Sequence, residues 1–150
     1  MADRRGLTRG EVDLARSMFG NAVNYAPVTI RQRKWAFFQP RETVMAPMGH
    51  LHFHPRGSRY RDDFSTGDWR DQGLFIHEMT HVWQHQQGIF LPLARHPFCR
   101  YDYTFDPARA FASYGIEQQA EIVRHAFLLR CGRPVDGKPG IESYEAMLPF

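Results

Sequence analysis

Cysteine is scarce in this chain. There are two in 150 residues, Cys99 and Cys131, which form no metal-type C-x-x-C pair and are too few for a disulfide framework. Reduced thiols are therefore the simpler expectation. Lysine is equally scarce: Lys34 and Lys138 are the only two, so nearly all of the 19 basic side chains are arginine. The formal charge is only +3, with a pI near 9.1, and no stripe of basic residues interleaved with exposed aromatics stands out, so no nucleic-acid partner is expected. Long apolar runs are missing too. None approaches the roughly 18 residues of a membrane-spanning helix, and the opening MADRRGLTRGEVDLARSMFG has no apolar stretch after its charged start, so neither a membrane partner nor a secretory signal is expected. The expected location is the cytoplasm, with export by a signal-independent machine as the alternative.

What remains is enough for a folded core. A hydrophobic share of 43% with 14% aromatics belongs to a globular chain, and the length suits a single domain over residues 1–150. The stretch that organises it is Leu74 to Gly88, LFIHEMTHVWQHQQG. Leu74, Phe75, Met79, Val82 and Trp83 recur at helical steps, Gly88 is a C-terminal stop, and Asp71 is the expected N-cap. Inside lies His77-Glu78-Met79-Thr80-His81, an H-E-x-x-H motif. Residues four apart stand one above the other on a helix, so His77 and His81 can converge on one metal ion. Glu78 then sits beside the ion and can take a proton from a water that the ion polarises. A buried helix with merely hydrogen-bonded histidines is the bland alternative, and it leaves three buried ionisable groups without a reason.

Around that helix the chain reads as mixed α and β. Thr8-x-x-Glu11 is a capping box opening a helix with Val12, Leu14, Ala15, Met18 and Phe19 on one face. Val28 to Arg33 alternates as a strand, with Val28 and Ile30 inward. A second strand is expected from Thr43 to Phe53, interrupted near Pro47 and Gly49. It would put Leu51 and Phe53 on one face and His50, His52 and His54 on the other, with at least one of the three lining a cleft rather than holding a second metal. Such an edge strand can hold an extended peptide by strand addition. Pro55 to Gln72 reads as a surface loop, and Ile89 to Pro107 as an aromatic wall broken by prolines, with His96 structural. A last long helix runs from after Ser113 to about Cys131, with Glu117 and Glu121 one turn apart on a shared face. The tail ends in a short helical stretch, IESYEAML.

The H-E-x-x-H helix followed 36 residues later by Glu117-x-x-x-Glu121 resembles the gluzincin zinc peptidases. The resemblance implies Zn²⁺ held by His77, His81 and Glu117, with Glu121 as the hydrogen-bond partner of a ligand histidine. The thermolysin-like subgroup has Asn and Asp where this chain has Ile116 and Glu121, and either glutamate can reach the ion from the same face. More narrowly, LTRGEVDLARSMFG, APMGHLHFHPRG, GLFIHEMTHVWQHQ and HPFCRYDYTFDPARAFASYGIEQQAEIVRHAFLL together resemble the bacterial Vgr-related proteins, over nearly the whole chain. That family's name points to type VI secretion spikes and implies a minimal zincin-type fold.

The expected fold is therefore an α+β minimal zincin: a small twisted sheet, an H-E-x-x-H helix and a downstream glutamate helix. The expected function is a zinc metallopeptidase with Glu78 as general base and Tyr114 or His50 as oxyanion donor. Its substrate would be a peptide or protein in a cleft beside the His50–His54 strand. The alternative is a zinc-stabilised binding or adaptor module linked to a type VI spike, without turnover.

Overall fold

The computed structural model describes residues 3–94 and 100–150. His96 and Cys99, and with them any bridge to the exposed Cys131, lie outside the described residues. Three short strands form one sheet in the order β1 (Arg4–Gly6), β2 (Thr29–Arg31), β3 (Leu51–His52), with β1 antiparallel and β3 parallel to β2. Among the described residues five α-helices accompany the sheet: α1 (Arg9–Phe19), α2 (Trp69–Gln86), α3 (Leu91–Ala94), α4 (Ile116–Arg130) and α5 (Ile141–Met147). The two long helices, α2 and α4, make the most extensive packing in the molecule. That pairing positions the candidate site.

Local chemistry accounts for most element ends. Thr8 caps α1 with its hydroxyl on the Glu11 amide, and Glu11 reaches back to the Thr8 amide, as the capping box requires. The N-cap of α2 is Asp68, which accepts from the amides of Arg70 and Asp71. Asp71, the expected cap, lies in the first turn and pairs with Arg61 at 3.2 Å. The shift has a physical reason: Trp69 and Arg70 are already helical, and Asp68 offers the same carboxylate three residues earlier. Gly88, at φ 93°, takes the left-handed conformation that stops α2.

The segment from Thr43 to Phe53 differs from the expected interrupted strand. It folds back on itself, with Met45 paired antiparallel to His52 through two backbone hydrogen bonds of 3.1 and 2.8 Å. Pro47 cannot donate to a ladder and Gly49 sits at φ 86°, so the chain reverses between them. Leu51 and Phe53 do face the core. Below the sheet the rings of Phe53, Phe64 and Phe75 stack in series at centroid distances of 5.4 and 5.7 Å. This links β3 to α2 through the polar loop between them.

Two histidines, buried His52 and half-buried His125, are held below their ordinary value. His52 is pushed down to about 4 by burial and by the Arg31 charge. His125 on α4 is pushed down to about 4 by burial and by the Arg124 and Lys138 charges, against the pull of Glu121; its Nδ1 meets the Tyr103 hydroxyl at 2.6 Å. A histidine held below its ordinary value stabilises the fold fully above pH 6.5, and that stability is lost as pH falls towards the folded value. With a discount for partial solvent access, each is worth about 1–2 kcal/mol. In the presence of EDTA, thermal melts should give a Tm about 5–10 °C lower at pH 4 than at pH 7. His52→Gln should flatten that slope, and an unchanged slope would remove His52 from the account.

Candidate metal centre

The α2–α4 interface carries the chemistry-bearing residues. His77, Glu78 and His81 on α2 and Glu117 on α4 are all buried, which is costly for ionisable groups unless they pair or bind an ion. Here they converge. Glu117 Oε1 lies 3.2 Å from His77 Nε2 and 2.8 Å from His81 Nε2. Donor atoms of His77, Glu78 and His81 also lie within 4.8 Å of one another. Glu78 Oε1 stands back, 3.9 Å from His77 Nε2.

The other face of each imidazole is occupied. His77 Nδ1 meets Glu121 Oε2 at 3.0 Å, and His81 Nδ1 meets the Gln84 side-chain oxygen at 2.8 Å. Gln84, fully buried, donates to Ile116 O at 3.0 Å and Gln119 Oε1 at 2.9 Å, locking its own orientation. Both rings therefore carry a proton on Nδ1 and aim Nε2 at the same point as Glu117. A metal ligand histidine needs this arrangement, with the far nitrogen donating to an acceptor. Glu121 is held in turn by Arg124, whose Nε lies 2.8 Å from Oε2.

The electrostatics agree with the geometry. Burial alone would raise Glu117, but the hydrogen bonds from His77 and His81 prevail and hold it well below the usual carboxylate range. Burial would lower His77, yet Glu117 and Glu121 outweigh it and raise that imidazole. The cluster is thus rich in negative charge that two imidazoles now share, the electrostatic condition for accepting a divalent cation. Two imidazoles and one carboxylate suit zinc better than magnesium or calcium, which prefer all-oxygen sets.

Two cavities meet at the cluster. The larger, about 640 Å³, has His81 and Glu117 in its wall with Trp35, Phe38, Ala46 and Leu91. The smaller, about 250 Å³, is lined by the charged and polar Glu42, His77, Glu78, Glu121 and Arg124 together with Val44 and Leu74. Thr43 and Tyr101 line both, and the Tyr101 ring stacks on His77 at 5.9 Å and 20°.

Two expected site residues are not brought to these cavities. The Tyr114 hydroxyl accepts from the Asp106 amide at 3.1 Å, under the Arg109 guanidinium, and the residue is buried. His50 Nδ1 faces the Thr29 hydroxyl at 2.8 Å, on the sheet. Each is already engaged elsewhere, so neither is placed as an oxyanion donor. None of His50, His52 and His54 lines either cavity; after the chain reversal it is the Thr43–Pro47 arm that lies along them. Tyr101 was missed from the sequence: it is one aromatic among five in a proline-broken segment, with no periodicity to single it out.

Fold and site together define a small α+β domain built on an H-E-x-x-H helix whose histidines share a glutamate from a second helix. No family model matches the chain. Over 134 residues, 83% of this chain, it is 41% identical to the type VI secretion system spike protein VgrG2b of Pseudomonas aeruginosa, of which it spans 13%. It also matches the solved effector domain of Pseudomonas aeruginosa VgrG2b, with a TM-score of 0.81 and 37% identity, covering 95% of this chain and 80% of that one. The chain belongs to the family of the VgrG2b effector domain. The expected kinship with Vgr-related proteins therefore holds.

Proposed function

We propose that this chain is a zinc-dependent peptide hydrolase that acts as a type VI secretion effector domain. The observation that carries the reading is the approach of Glu117 Oε1 to both histidine Nε2 atoms, 3.2 and 2.8 Å, with Glu78 alongside. His77, His81 and Glu117 would hold the ion, and the set leaves a coordination position open, as a catalytic rather than a structural site does. Zinc bound there would supply Lewis-acid polarisation of a carbonyl and activation of a water.

The chain's own residues do the rest. The Glu78 carboxylate takes the proton from the attacking water and delivers it to the leaving nitrogen. Glu121 and Gln84 hold the two imidazoles by Nδ1. Met45 uses both backbone groups on His52 in an isolated antiparallel bridge, and an extended peptide could lie along this Thr43–Pro47 arm beside the cavities. The link to a spike rests on the VgrG2b match. That relative's names state a secretion spike and an effector domain and no reaction, which keeps a zinc-stabilised module without turnover as the second reading.

Zinc-loaded wild type and Glu78→Gln, presented with a mixture of quenched-fluorescence peptides, separate the two. Wild type should cleave, and the variant should be slower by about 10³-fold at equal zinc content, the scale of a lost general base. Equal rates would remove Glu78 from the mechanism. A wild type that binds zinc and cleaves nothing would favour the module.

A further inference from the structure

The described residues that expose large hydrophobic side chains are Phe37 at 88%, Phe38 at 61%, Phe90 at 53%, Tyr101 at 44% and Met48 at 39%. They are not scattered. Phe38 and Tyr101 line the larger cavity, and Met48 and Phe90 each adjoin a lining residue, Pro47 and Leu91. Phe37 meets Phe38 edge to face at 5.4 Å. Phe37, Phe38 and Tyr101 thus group at one cavity, and exposed apolar side chains grouped in this way mark an interaction surface where single exposed residues do not.

The exposure of the two phenylalanines is built in. Gln39, buried at 3%, accepts from the Trp35 amide at 2.9 Å and donates to Thr43 O and His52 O at 2.9 and 2.8 Å. The Gln39 amide closes a turn on Ala36 O at 3.1 Å. With the loop pinned from inside by Gln39, Phe37 and Phe38 point outward. Cations flank them: Arg33, Lys34 and Arg41 are exposed and Arg31 half-exposed. No acidic residue occurs between Asp13 and Glu42. Bulky apolar tips bracketed by cations complement a surface that is negative outside and apolar beneath, which is an anionic lipid bilayer. A nucleic-acid site would need flat faces for bases along a basic groove. Here the two rings stand edge to face at a cavity rim.

We propose that the loop from Arg31 to Arg41 is a membrane-docking surface, which seats Phe37 and Phe38 in the headgroup boundary of an anionic bilayer and turns the cavity mouth towards it. The docking needs neither a spanning helix, which the described residues lack, nor the metal. It stands independently of the hydrolase reading.

The test is co-sedimentation of the whole chain with vesicles of phosphatidylglycerol and phosphatidylcholine, against phosphatidylcholine alone. Wild type should bind the anionic vesicles and not the neutral ones. Phe37→Ser with Phe38→Ser should lower the partition coefficient at least tenfold, and Arg33→Glu with Lys34→Glu should do the same, with unchanged thermal melts showing that both variants fold. Absence of wild-type binding overturns the proposal. So does binding that survives loss of both phenylalanines, which would be adsorption of a basic protein. Phenylalanine-dependent binding to a single-stranded oligonucleotide, or phenylalanine-dependent dimerisation in sedimentation velocity, without vesicle binding, would assign the surface to nucleic acid or to a second copy instead.

Discussion

Glu117→Ala is expected to purify without zinc under conditions that leave one zinc per wild-type chain. Glu117 is the residue whose oxygen faces both Nε2 atoms, so on the proposed reading its loss would take one of the three ligands, and with it a buried anionic charge that favours a cation. Affinity should fall by at least about 10³-fold, more than the 10–100-fold typical of a lost supporting residue. Glu121→Ala is the matched control. Its carboxylate meets His77 on the Nδ1 side, so it should weaken binding by about 10–100-fold without abolishing it. Elemental analysis and competition with a chromophoric chelator read both. If Glu121→Ala lost the metal and Glu117→Ala kept it, the two glutamates would exchange roles. If wild type took up no zinc, the hydrolase reading would fall.

The distinction between those glutamates shows where sequence reasoning reached its limit. Spacing places Glu117 and Glu121 on one face of α4, and spacing alone allows either to reach an ion. What separates them is the vertical offset of α4 against α2, set by Gln84 bonding to Ile116 O and Gln119. That offset is a tertiary fact with no local signature. The H-E-x-x-H helix, the capping box and the inward Val28 and Ile30 were legible because each follows from backbone periodicity or a capping hydrogen bond. The reversal at Pro47–Gly49 was signalled by both residues, yet alternation across His50, Leu51, His52 and Phe53 reads equally well as one continuous strand. The direction of the cavity wall depended on that choice. Tyr114 and His50 were singled out by position along the chain, and both turned out to be committed to local partners. Strand β1 left no sequence signal: three residues, Arg4–Gly6, with no apolar alternation.

That first strand carries the other large expected effect, on stability. Glu11 is fully buried, and each of its carboxylate oxygens accepts two hydrogen bonds. Oε1 takes Arg5 Nη1 at 2.8 Å and the Thr8 amide at 2.9 Å; Oε2 takes Arg5 Nη2 at 3.0 Å and the Phe64 amide at 2.9 Å. One side chain thus ties β1, the start of α1 and the turn at Phe64 together. The paired guanidinium also donates to the Tyr60 hydroxyl and Arg61 O. Glu11→Ala leaves a partly buried guanidinium without its counter-charge and the Thr8 and Phe64 amides without their acceptor, so the cost is the desolvation of those partners rather than the net worth of the pair. It should destabilise the domain by about 3–5 kcal/mol, lowering Tm by about 10–15 °C. Arg5→Met should cost less, because the Thr8 and Phe64 amides still stabilise the carboxylate. The double variant should be less destabilised than the sum of the two, since each single change strands the same partner. Thermal melts of the three variants, in EDTA so that the metal plays no part, read the cycle. A fall of less than about 3 °C for Glu11→Ala would mean that water replaces the four bonds, and that the buried pair contributes little to the fold.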